Sequence, residues 1–105
     1  MAIDRFWRPV THFDSPLDTR SNAKKPRMMA VADDRIVELA GTPPTYGQKI
    51  LWWKEEQSEV WKRAHKFIQP AAYVAGLMAG LSGEQAFMEP TFMCWSGLSD
   101  TANLC

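Results

Sequence analysis

Little in this sequence points outward. Lysine and arginine together number 12, as do aspartate and glutamate, so the chain carries no net charge. Nothing therefore draws it towards nucleic acid or an anionic membrane surface. Short helices joined by turns could form a helix-turn-helix, but no basic recognition helix is present. No apolar run approaches the roughly 20 residues that a transmembrane helix needs. The first residues, MAIDRFWRPV, lack the basic-then-apolar form of a secretory leader. Cys94 and Cys105 stand at no metal-ligand spacing with each other or with His12 and His65. They read as free thiols of a reducing cytoplasm, with nothing to motivate a disulfide. There is no repeat, no glycine-rich phosphate loop, no GxSxG elbow and no paired catalytic carboxylates.

What is present suits one domain or a piece of one: 105 residues, 46% of them apolar, enough for a small core. The densest stretch is Gln48–Pro70, QKILWWKEEQSEVWKRAHKFIQP, with three of the five tryptophans. Ile50, Leu51, Trp53, Val60, Trp61, Ala64 and Ile68 recur at helical spacing, and Glu59 can reach Lys62 and Arg63. Trp52, Trp53 and Trp61 are expected to anchor the core. Two helices are expected, Tyr46 to Glu56 and, capped by Ser58, onward to Lys66.

Upstream, Pro9 and the run Val10, Thr11, Phe13 predict a short edge strand, with His12 half-exposed in it. Asp14-Ser15-Pro16 reads as a turn, residues 14–29 as a polar loop, and Lys24, Lys25 and Arg27 as solvated. Asp18 and Arg20 fall on one side of an extended chain as a surface pair. Residues 33–40 predict a short helix capped by Asp33 or Asp34 and stopped by Gly41. Downstream, Ala71–Leu81 predicts a helix with Tyr73, Val74, Leu77, Met78 and Leu81 on one face. Its small residues Ala72, Ala75, Gly76 and Ala79 would allow close approach. The tail, rich in apolar residues but broken by Pro90 and Gly97, predicts short extended pieces.

One run of pieces is more specific. Lys49-Ile50-Leu51-Trp52-Trp53-Lys54-Glu55-Glu56, Glu59-Val60-Trp61, Lys66-Phe67-Ile68-Gln69-Pro70, Tyr73-Val74 and Ser82-Gly83-Glu84 follow one another in order, and Leu17-Asp18-Thr19-Arg20 precedes them. In this the chain resembles the N-terminal domain of FGGY-family carbohydrate kinases, xylulokinase-like members above all. The resemblance spans about residues 3–100.

It implies an α/β fold: an incomplete ribonuclease H-like, actin/hexokinase-type domain fragment over residues 1–105, mainly helical with one or two short strands. It implies phosphoryl transfer from ATP, with magnesium, to the hydroxyl of a pentulose-like sugar in the parent family. Asp18 and Arg20 match the D-x-R element beside the sugar cleft. Glu89 is the nearest match to the family's aspartate base, one methylene longer. The D-x-G-(T/S) phosphate element has no counterpart in residues 1–20, and the adenosine-holding second domain has none in this sequence. The chain alone is therefore expected to be inactive and to bind no cofactor. The alternative is a non-catalytic helical module that self-associates or binds a partner through apolar surface around Tyr73, Phe92 and Trp95.

Overall fold

The computed structural model describes residues 1–100 and Asn103, and for residues 31–33 the backbone alone. Cys105, and the side chain of Asp33 offered as a cap, lie outside the described residues.

Helix α1 spans Lys25–Ala40, beginning well before the expected start at residue 33. Pro26 sits in its first turn, where a missing amide costs nothing, and Arg27-Met28-Met29-Ala30 are good helix formers. The basic residues expected in a solvated loop thus occupy a helix start. Lys24 pairs with Glu55 and Glu56, and Arg27 pairs with Glu55. Gly41 ends the helix at φ 76°, its amide donating to the Val37 carbonyl at 2.8 Å.

Helices α2 (Gly47–Glu56) and α3 (Ser58–Arg63) break at Gln57, as the sequence predicts. The N-cap is Gln57 and not Ser58, however, and α3 stops short of Lys66. Ala64 turns extended, and Lys66–Phe67 becomes strand β2. Its partner, strand β1, is Ala2–Ile3 and not the run from Val10 to Phe13. The two pair antiparallel, Ala2 opposite Phe67 and Ile3 opposite Lys66, while Pro9 bridges Ile3. With Pro9 unable to donate to a ladder, the preceding apolar pair takes the buried strand position.

Ile3, Trp7, Ile68 and Ala72 form the buried cluster, with Met1, Tyr73, Leu81 and Ala86 against it. The expected three-tryptophan anchor is therefore replaced: Trp7 fills the core, Trp53 is buried elsewhere, and Trp52 and Trp61 are half-buried. Helix α4 (Pro70–Met78) turns Ala72 and Gly76 inward, so the Trp7 ring lies against Gly76 and the indole donates to the Tyr73 carbonyl at 3.0 Å. Small residues do give close approach. The face of larger residues is split: Tyr73 and Leu81 pack against the core, while Val74, Leu77 and Met78 are exposed, because a flat indole takes the glycine side.

The tail is helical, not extended. Ser82 and Gln85 form a capping box over a 3-10 turn. Glu89 then caps helix α5 (Pro90–Met93), with Pro90 in its first turn, and a second 3-10 turn covers Cys94–Ser96. The amides of Thr45 and Tyr46 both donate to the Trp95 carbonyl, at 2.9 and 3.0 Å, and the Tyr46 and Trp95 rings are parallel at 6.4 Å. The observed architecture is mainly helical, with one two-stranded sheet.

Candidate functional site

The loop after β1 carries the densest chemistry. A turn closes between the Ser15 carbonyl and the Asp18 amide at 3.0 Å, and the Arg20 amide donates to Asp18 Oδ1 at 3.0 Å. Arg20 Nε reaches both Asp18 oxygens at 3.0 Å and Nη2 donates to Oδ2 at 2.5 Å, so carboxylate and guanidinium meet fork to fork. The hydrogen bonds from Arg20, side chain first and amide second, hold the Asp18 carboxyl well below the usual range. The same pairing raises Arg20. The expected surface pair is thus formed by local chain geometry.

Helix α2 fixes that loop. Lys49 is buried, and its ammonium donates to the carbonyls of Ser15 at 2.9 Å and Asp18 at 2.8 Å. Trp52 presents its ring 4.6 Å from the Arg20 guanidinium carbon, a cation–π contact. Trp53 donates its indole N–H to both oxygens of buried Asp14, at 3.0 and 3.1 Å. His12, exposed in a loop and not in a strand, stacks edge-on against Trp53 and lies 3.0 Å from Arg20.

His12, Asp14 and Asp18 could each offer a ligand atom within 4.8 Å of the others. Yet Arg20 already stands among them: bonded to His12, paired with Asp18, and 3.9 Å from Asp14. A fixed guanidinium occupies the charge position that a cation would take, and magnesium requires near-octahedral oxygen ligation. This donor set does not fit a magnesium ion.

Beside Asp18 an open groove of about 840 Å³ runs between the loop, the start of α1 and the tail, with Asn22, Thr45, Gln48, Lys49 and Trp95 among its walls. Gln48 is buried with its side-chain oxygen unpartnered, while its amide nitrogen reaches Asn22 Oδ1 at 3.4 Å. Hydroxyl-rich ligands bind where planar charged groups, amides and an aromatic face converge.

No family model matches the chain. No solved structure matches it either.

Glu89 stands in a different element from Asp18 and Arg20. Its carboxylate accepts from the Thr91 hydroxyl and from the Thr91 amide at 2.9 Å, and these bonds, the hydroxyl's first, lower its pKa. An exposed carboxylate spent on a helix cap is a weakened base. Sequence reasoning missed His12, Asp14 and Lys49. Lys49 is marked only by its place at the head of the Ile50-Leu51-Trp52-Trp53 run, and Asp14 looks in sequence like turn punctuation.

Proposed function

We propose that this chain is the sugar-side part of an FGGY-family, xylulokinase-like carbohydrate kinase, drawn from a ribonuclease H-like domain working in the cytoplasm. Its own task is to hold a pentulose-like sugar through Asp18 and Arg20. The observation that carries this reading is the clasp of Lys49 on the Asp18 loop. It ties together the two motifs of the family resemblance, Leu17–Arg20 and Lys49–Glu56, and sets Asp18 and Lys49 side by side on the groove. Asp18 lines the groove and accepts hydroxyl hydrogens, Arg20 orients its carboxylate from outside the groove lining, and Trp95, 42% exposed, offers an apolar face. Phosphoryl transfer needs a phosphate cradle and a second domain as well, so this chain alone turns over no ATP. Glu89, the candidate base, would have to leave its cap to accept a proton.

Titration calorimetry with D-xylulose and D-ribulose tests the sugar site. Saturable binding that Arg20→Ala and Asp18→Ala each abolish is the expected result. Heats no greater than dilution at millimolar sugar would end the reading.

A second reading has one observation behind it. The outer face of α4 exposes Val74, Leu77 and Met78, and no residue of that helix is charged. Two copies could meet there without burying a charge, which supports a non-catalytic, self-associating module.

A further inference from the structure

A second groove, of about 630 Å³, lies between the loop at Asp4–Val10 and the end of α3 at Lys62–His65. Arg5, Arg8, Lys62, Arg63 and His65 line it against a single carboxylate, Asp4. Low-dielectric walls around like charges focus an attractive field for the opposite sign. Arg8 is neutralised by Asp4 at 2.7 Å, Lys62 pairs with Glu59 at 2.6 Å, and His65 lies 3.2 Å from Glu84. Arg5 and Arg63 are left, exposed and without an ion pair among the described residues.

The loop is built rather than loose. Trp7 holds φ 63°, a left-handed conformation that costs an indole-bearing residue energy unless its surroundings enforce it. Asp4 enforces it from one side: its carboxylate accepts from the amides of Phe6 at 2.8 Å and Arg8 at 3.0 Å. The buried Trp7 ring and the bond from the Gly83 amide to the Arg5 carbonyl at 2.9 Å fix the other side. Gly83 is required there, since a Cβ would come within 2.5 Å of the Asp4 carbonyl. The result is a rigid hairpin that points Arg5, Phe6 and Arg8 outward, with the Phe6 ring 75% exposed and 5.0 Å from the Arg8 guanidinium.

We infer that this groove binds a diphosphate-bearing small molecule, clamped between Arg5 on the hairpin and Arg63 on α3. Guanidinium forks match phosphate oxygens two at a time. The exposed Phe6 face can carry a flat ring attached to the phosphates. The site is separate from the Asp18 groove and uses none of its residues.

Calorimetry at low salt with inorganic pyrophosphate tests the clamp. One-to-one binding at about a millimolar or tighter is expected, weakened about tenfold or more by Arg5→Gln and by Arg63→Gln. Arg35→Gln, an exposed change on α1 outside the groove, should leave the affinity unchanged. The absence of saturation, or equal weakening by Arg35→Gln, overturns the proposal, the latter because it marks unspecific charge attraction. ADP as a second probe separates the sources. Affinity equal to that for pyrophosphate assigns the clamp to the bare diphosphate. Tighter ADP binding that Phe6→Ala reduces to the pyrophosphate value assigns it to a nucleotide.

Discussion

Asp18 shows how much a short stretch can do by itself. Two residues from Arg20, it gains a forked ion pair and a backbone hydrogen bond inside one turn, with Lys49 added only to hold its carbonyl. Its folded-state pKa lies below the ordinary 3.8. A depressed carboxyl pKa stabilises the fold above the unfolded value, and that contribution disappears as pH falls through the folded value. The pair is partly open to solvent, which keeps the contribution modest. Urea midpoints followed downward from pH 5 should therefore fall more steeply for the natural chain than for Arg20→Gln. Parallel curves would mean that the pair carries no stability. The same pair was legible in the sequence because it is local. Asp14 was not, because its partner Trp53 is distant in sequence and nothing near Asp14 advertises an indole donor.

At the scale of elements, helix α4 separates composition from orientation. Its spacing correctly predicts a helix, and its small residues correctly predict a close contact. Which face turns inward was decided by Trp7, far away in the chain and bound to the Tyr73 carbonyl. Periodicity reports a stripe but not its partner. A methyl group on Gly76 would overlap the Trp7 ring, which cannot retreat, being part of the core cluster and hydrogen-bonded at its nitrogen. Gly76→Ala is expected to cost about 1–3 kcal/mol or more from overpacking, despite the better helix propensity of alanine. Gly80→Ala makes a useful contrast: nothing lies within 4 Å of its Cβ position, so its cost comes from the φ of 67° alone. Equal denaturation midpoints for Gly76→Ala and the natural chain would show that the helix shifts to make room. The tail and α1 teach the related lesson that proline is ambiguous in sequence. In sequence Pro26 stands in a polar loop and Pro90 looks like a helix breaker, yet each occupies a first helical turn.

Across the whole molecule, charge balance and apolar exposure act together. No net charge means no long-range repulsion between copies at neutral pH. The face of α4 that the Trp7 contact forces outward carries Leu77 at 59% and Met78 at 85% exposure. Around Phe92 and Trp95 the rings also contact Tyr46, and the Trp95 carbonyl accepts from Thr45 and Tyr46, yet Trp95 stays 42% exposed, so that patch is smaller and more anchored than the α4 face. Association, where it occurs, should therefore run through α4. It should respond to salt as apolar contact does, strengthening in sodium sulfate, whereas ion-paired contact would weaken. Leu77→Glu places a charge in the middle of that face without disturbing a buried contact. Sedimentation from micromolar to millimolar protein should show a weight-average mass that rises for the natural chain, rises further in sulfate, and stays monomeric for Leu77→Glu. A monomer throughout would remove the self-association reading. A mass that rises equally in Leu77→Glu would move the contact to another surface.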